Sequence, residues 1–297
     1  VSMGGMVAAV LLSSRTLAPL AQIANLFGRA NNAKTSYKRL ASFMKETEDD
    51  DVSRKNESAI RREKLGSLEF KDTSYRYPEA DLDTLRGINI KINEGEKVAI
   101  LGRNGSGKST LMKLASGLFK ATDGLVLYDG VDIKQLHTKD LSRSIGIVLQ
   151  DVQLFSGTVR ENITMGREDI SQDDLTEAGK LSGLDEFISK IPGGYDLQLL
   201  DGGKGLSGGQ RQAIALTRAI VHKPSHFILD EPTSAMDMNA ENLFINQVGK
   251  ILKDSTMLIV THRMPILNLV DRIIVMNEGQ IVEDGPKDEI IQKLNQQ

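Results

Sequence analysis

One run of nine residues restricts this 297-residue chain more than any other feature: Gly102, Arg103, Asn104, Gly105, Ser106, Gly107, Lys108, Ser109 and Thr110. It fits the pattern G-x-x-x-x-G-K-[ST]. Phosphates need many donors close together. Glycines let successive backbone N–H groups turn inward with no Cβ in the way, which forms a nest for an anion. A following helix adds its positive N-terminal end. In such a loop Lys108 reaches the β- and γ-phosphates, and Ser109 offers its hydroxyl to Mg²⁺. In a chain of ordinary composition a chance match is expected on the order of one time in a hundred. The flanks agree with the motif: KVAIL at 97–101 reads as a buried strand and residues 110–119 as a helix. The loop therefore predicts a site for MgATP. GTP is disfavoured because no N-K-x-D run occurs, although aromatic stacking tolerates either base.

A second run, FILDE at 227–231, is an apolar strand ending in two acids. At the strand's C-terminal end Asp230 can bind Mg²⁺ directly or through water. Glu231 points to the other side of the backbone and can take a proton from an attacking water. Alone this signal is weak, since apolar strands often end in acids. Its weight comes from the phosphate loop.

The rest of the chain divides into three regions by composition. Hydrophobic residues make up 40% and charged residues 26%, which is enough for a large core. Residues 1–46 open with 23 mostly apolar positions, 6–28, interrupted by Arg15 and by Ser13, Ser14, Thr16, Gln22 and Asn25. That length suits a membrane-spanning helix, or equally a buried helix of a soluble domain. Arg15 excludes a lone span facing lipid, and Pro19 is expected to kink the helix. Beyond Gly28, the residues Ala33, Tyr37, Leu40 and Met44 share one helical face and the remainder is basic. If residues 6–28 span a membrane, that basic end belongs in the cytoplasm. Residues 47–66 read as a charged, solvated linker, with an acidic run at 48–51. Because the sequence opens on Val1 rather than Met, the expectation is a piece of a longer parent.

Residues 67–297 alternate strands with helical stretches, which argues for a mainly parallel sheet covered on both faces. Residues 68–70 and 88–92 read as antiparallel strands joined through the turn at 93–95. Asp129-Gly130 and Asn277-Glu278-Gly279 mark hairpins. A net charge of −3 with no basic skew gives no support to a nucleic-acid partner. The absence of cysteine excludes disulfides and thiolate metal sites.

Leu206, Ser207, Gly208, Gly209 and Gln210 lie about 20 residues before Asp230 and lead into a helical stretch at 211–220. With this run the sequence resembles the ATP-binding-cassette ATPases over residues 67–297. The resemblance implies an α/β fold: a P-loop NTPase core with an antiparallel β subdomain and a helical signature subdomain, preceded by a long transmembrane/cytoplasmic helix. It implies that Tyr77 stacks on adenine, with Tyr75 competing for that role. Gln150 would sense Mg²⁺ and the lytic water, and Asp230 and Glu231 would be the metal and base acids. Asp237 would lie in the loop that crosses a dimer interface, and His262 would be the switch histidine. Ser207, Gly208, Gly209 and Gln210 would grip the γ-phosphate of a second, head-to-tail copy. Two features depart from the common pattern: the pair Asp201-Gly202 before the signature, and Met236 in the dimer loop. The first affects cross-talk with a membrane domain.

Residues 4–40 resemble the last transmembrane helix of an exporter and its cytoplasmic extension. SRTLAPLAQI, GKGLSGGQRQAIAL and DEPTSAMD are most similar to type I secretion permease-ATPases. That resemblance implies a bacterial inner-membrane protein whose cassette faces the cytoplasm, and export of a polypeptide. The implied partners are the transmembrane domain of the same parent chain, a periplasmic adaptor and an outer-membrane channel. Lipid, drug and bacteriocin exporters share most of these motifs, and a soluble mechanical ATPase is the alternative of another class.

Overall fold

The computed structural model describes residues 2–47, 59–234, 236–252, 255–294 and 296. Two compact units divide between Ser58 and Ala59. Among the described residues the first holds one helix, α1, Met3–Thr47, assigned without a break through Pro19. Its composition corrects one expectation: among the described residues no helix is long and apolar enough to cross a membrane. The cause is the polar content already visible in residues 6–28, where Arg15 and several hydroxyl and amide residues dilute the apolar ones.

In the second unit the strands β1 (Leu68–Tyr75), β2 (Leu85–Ile92), β4 (Asp123–Tyr128) and β5 (Val131–Asp132) form an antiparallel sheet in the order β2-β1-β4-β5. A second sheet contains β3 (Lys97–Gly102), β6 (Ile145–Val148), β9 (His226–Asp230), β10 (Thr256–Val260), β11 (Arg272–Asn277) and β12 (Gln280–Pro286). Its order is β12-β11-β3-β10-β9-β6. All its pairs are parallel except the β11–β12 hairpin. The turn at 93–96 leads β2 into β3 and so carries the chain from one sheet to the other. It does not join β1 to β2, as the sequence suggested.

The parallel strands are apolar through their middles, as in VAIL at 98–101, FIL at 227–229 and MLIV at 257–260, because both faces are covered. Val98, Ile100, Ile228 and Leu258 pack toward the antiparallel sheet and helix α2 (Lys108–Ala115), beside Phe70, Leu111 and Tyr128. Ala99, Leu229 and Ile259 face the opposite way. There they meet α7 (Gly208–Ile220) and α8 (Met238–Ile251) through Ile214 and Phe244, and the helical part of the fold extends from these. Between α2 and α7 lie α3 (Thr138–Ser144), α4 (Val159–Thr164), α5 (Gln172–Ser182) and α6 (Leu184–Ile188). The last helix is α9, Lys287–Leu294. Helix α2 ends at Ala115, short of the expected 110–119; Ser116 caps it and Gly117 follows with φ 75°.

Part of the charged stretch before β1 is folded against the sheets rather than solvated. The acidic run at 48–51 lies outside the described residues, but residues 59–66 dock on the second unit. Ile60 bridges to Leu136, and Arg61 Nε donates to Asp140 Oδ2 at 2.7 Å. Leu65 is buried, and Asp129 accepts from the Gly66 and Ser67 N–H groups at 2.9 and 2.8 Å. The second unit therefore begins at Ala59 rather than at Ser67.

His226 opens β9 with its ring edge-on to Tyr128 and its Nδ1 3.1 Å from Ser225 Oγ. Burial pushes its imidazole down to about 4. An unfolded chain takes up that proton near pH 6.5, so folding is favoured fully above pH 6.5 and loses stability as pH falls toward 4. The expected loss between pH 7 and pH 5 is about 2 kcal/mol, read as a falling thermal midpoint. His226→Phe should flatten that part of the profile; an unchanged profile would reject the assignment.

Candidate nucleotide site

Strands β3, β10 and β9 reach one edge in register, Ile100 of β3 beside Val260 at the end of β10 and Val260 beside Asp230 at the end of β9. Each hands one group to a cleft of about 500 Å³ at that edge. The phosphate loop leaves β3. Gly102 takes φ 150°, and a Cβ there would sit 2.2 Å from the Met276 carbonyl oxygen. Gly107 takes φ 97° with Leu85 Cδ2 2.6 Å from the place of a Cβ. Neither position accepts a larger residue. Lys108 folds back over the loop, and Nζ donates to the Gly102 and Arg103 carbonyls at 2.8 and 2.9 Å. Burial lowers the Lys108 pKa, against the pull of Glu231 and Asp230.

Asp230 ends β9 and is buried. Its desolvation raises the carboxyl pKa, and a hydrogen bond from the Ser109 side chain opposes that rise. One oxygen, Oδ1, has no hydrogen-bond partner. A buried acceptor left open beside a serine hydroxyl fits a hard divalent cation, which takes one or two protein ligands and fills its shell from phosphate and water. Among the described residues no group of three acids, histidines or cysteines is gathered for a metal.

Glu231 leaves the strand with φ 46°, and its N–H donates to Val260 O at 2.9 Å. That turn swings the carboxylate between two groups. Gln150 Nε2 donates to Glu231 Oε2 at 3.4 Å, and His262 Nε2 lies 3.5 Å from Glu231 Oε1. Gln150, Glu231 and His262 line the cleft with Asn104, Gly105, Gly107, Lys108, Ser109 and Thr110.

At the other side of the cleft Tyr77 and Thr84 close the wall. Tyr77 lies within hydrogen-bond distance of Thr110, its phenol oxygen 3.1 Å from Oγ1. Tyr75 is buried and stacks on Phe119 with centroids 5.1 Å apart. The structure thus puts Tyr77 at the cleft and Tyr75 behind it.

The signature is elsewhere. Ser207 caps α7: Gln210 N donates to Ser207 Oγ at 3.2 Å, and Ser207 N donates to Gln210 Oε1 at 2.8 Å. This reciprocal box leaves the first-turn N–H groups of Gly208 and Gly209 without an intrahelical partner. Among the described residues none of Ser207, Gly208, Gly209 and Gln210 lines the phosphate-loop cleft; Ser207, Gly209 and Gln210 border a separate hollow with Met236 and Phe187. Asp237 stands just before α8, where its carbonyl accepts from Glu241 N at 2.9 Å. Ala235 of that loop lies outside the described residues.

Sequence reasoning missed Thr84, Phe119, Glu241 and Arg263. Thr84 and Phe119 carry no motif. Arg263 follows His262 directly, and that adjacency was the one available signal.

A family description, ABC transporter, matches residues 85–234. The cyclolysin secretion/processing ATP-binding protein CyaB of Bordetella pertussis is 37% identical over 290 residues, covering 98% of this chain and 40% of that protein. The putative multidrug export ATP-binding/permease protein YgaD of Bacillus subtilis (strain 168) is 38% identical over 235 residues, covering 79% of this chain and 40% of that protein. A solved bacterial Atm1-family ABC exporter with ATP bound superposes with a TM-score of 0.73 at 30% identity, covering 79% of this chain and 41% of that one. The chain spans about 40% of the length of these curated relatives.

Lys108→Ala removes a charge-assisted donor from the phosphate cradle. ATP affinity, measured by equilibrium binding, should fall by about tenfold to a hundredfold. Unchanged affinity would show that the phosphates sit elsewhere.

Proposed function

Since the chain belongs to the ABC transporter family, we propose that it hydrolyses MgATP to drive export through a membrane domain of the same parent chain. One observation carries this reading. Glu231 is held between Gln150 and His262 at the mouth of the phosphate-loop cleft, 3.4 and 3.5 Å from them.

In the mechanism the loop 102–110 cradles the phosphates, and Lys108 gives up its own loop carbonyls to bind the β- and γ-phosphate oxygens. Tyr77 holds the adenine at the open side. Ser109 and Asp230, with Gln150 next to them, would hold Mg²⁺, which neutralises charge on the phosphates when bound. Glu231 orients the attacking water and accepts its proton. His262 donates toward the γ-phosphate and keeps the transition-state geometry, while Gln150 couples that geometry to the transport partner. Because the signature helix does not reach the cleft of its own chain, Ser207, Gly208, Gly209 and Gln210 serve the cleft of a second copy. Two head-to-tail chains then enclose each γ-phosphate, and Asp237 lies at their contact. ATP joins the pair and hydrolysis releases it.

The finer reading is type I secretion of a polypeptide from the bacterial inner membrane, with the cassette on the cytoplasmic side. A periplasmic adaptor and an outer-membrane channel complete the path. The match to the cyclolysin secretion protein supports it, because 98% coverage extends that likeness over α1. In this reading α1 joins the cassette to the membrane domain, and its polar residues confine it to a packed or membrane-proximal position. Drug export is the second reading, favoured by the 38% identity to the multidrug relative.

Glu231→Gln should leave ATP affinity intact, lower turnover by about 10²–10⁴-fold, and accumulate a dimer on MgATP by light scattering. Turnover at the unsubstituted rate would refute Glu231 as the base. A persistent monomer would refute the shared site.

A further inference from the structure

Beyond the cleft, one buried acid touches both loops that carry the reacting side chains. Glu241 lies in the first turn of α8, and its side chain is only 5% exposed. An acid in the first turn of a helix is ordinary, but this one is bound to neighbouring loops. Thr233 Oγ1 donates to Glu241 Oε1 at 2.8 Å. Arg263 Nη1 donates to Glu241 Oε2 at 3.1 Å. Thr233 is two residues past Glu231, and Arg263 is the neighbour of His262. The same guanidinium reaches back through Nη2 to the Ser234 carbonyl at 3.3 Å. Arg263 N donates to Thr261 Oγ1 at 3.0 Å, tightening the turn that presents His262. The acid therefore joins the loop after β9 to the loop after β10, past the Glu231 N–H to Val260 bond.

We infer that Glu241, acting through Thr233 and Arg263, is a positioning residue that sets the separation of Glu231 from His262. Its carboxylate and the guanidinium also hold Thr233 and Ser234, on the loop after Glu231. A partner copy pressing on that loop would move the His262 turn with it, so dimer formation would complete the alignment. This inference rests on the hydrolytic reading given above.

The test is steady-state ATP hydrolysis by the full chain carrying Glu241→Gln, Arg263→Ala or both, alongside ATP affinity and thermal midpoint. Gln keeps an acceptor for Thr233 but turns an amide donor toward Arg263. Each single substitution should lower kcat about tenfold or more, with ATP affinity held within about twofold. The double variant should be no slower than the slower single one, as expected of one coupled unit. A merely structural role would instead lower the thermal midpoint and reduce binding capacity and turnover together. Arg263 is half-exposed, so Arg263→Ala keeps the test open should Glu241→Gln fail to fold. Unsubstituted kcat in either single variant, or multiplying losses in the double, would overturn the inference. If the unsubstituted chain binds ATP but does not hydrolyse it, the hydrolytic reading falls and this one with it. If that chain turns over and Glu231→Gln does not, a full-rate Glu241→Gln overturns this inference alone.

Discussion

The alignment of three parallel strands in register at one edge is the constraint on which the candidate site depends. Ile100, Val260 and Asp230 stand side by side in register. The phosphate loop, the His262 turn and the two acids therefore leave the sheet at one edge, where open α/β sheets place their ligands. That register is enforced by burial on both faces. Ala99 and Ile100 in β3 pack into different cores, as do Ile228 and Leu229 in β9. A slip of one residue exchanges the two sets and presses Ile100 into the space shaped for Ala99. The same slip would withdraw Asp230 from Ser109. Core packing and site geometry are thus one constraint, and the chemistry is placed by residues that never touch a ligand.

The charged groups at that edge are held short of full satisfaction. Lys108 is buried, with its ammonium on two carbonyls of its own loop. Asp230 keeps one oxygen without a partner. Buried charge is costly unless paired, and here the natural partners are of opposite sign and supplied together. In the proposed site phosphate oxygens would answer Lys108 and the loop N–H groups, and a divalent cation would answer Asp230 and Ser109. The signature helix repeats the theme at a distance. Ser207 and Gln210 satisfy each other, while the Gly208 and Gly209 N–H groups at the helix start stay available for an anion.

Much of this was legible in the sequence because it rests on local chemistry. The phosphate loop needs glycines at fixed offsets, and Gly102 and Gly107 occupy conformations and spaces that only glycine fills. The parallel strands announce themselves as unbroken apolar runs. The parts that were misread depend on partners distant in the chain. The turn at 93–96 looks like a hairpin locally, yet β2 pairs with β1 and β3 pairs with β10 and β11. Residues 59–66 look solvated by composition, but Asp129 and Asp140, more than 60 positions away, hold them. Phe119 reads in the sequence as the end of a helix, and only the fold brings it against Tyr75 and Tyr77. Glu241 carries no motif; its meaning lies in touching two loops at once.

Glu231 shows why strand periodicity stops being informative where the chemistry begins. Continued as a strand, residue 231 would follow the alternation of β9 and face the side opposite Asp230. Instead its φ is 46°, a left-handed conformation that costs a non-glycine residue about 1 kcal/mol or more. The strain persists because the surroundings over-determine it. Glu231 N–H is bonded to Val260 O, Ser234 N–H is bonded to Glu231 O at 3.1 Å, and Thr233 is fastened to a buried acid. Released from those ties, the backbone would relax toward an extended φ and carry the carboxylate away from Gln150 and His262. The geometry of the proposed base is therefore held by the loop beyond it. In the proposed pair that loop would also meet the second copy, so occupying the interface and aligning the base would draw on a single set of bonds.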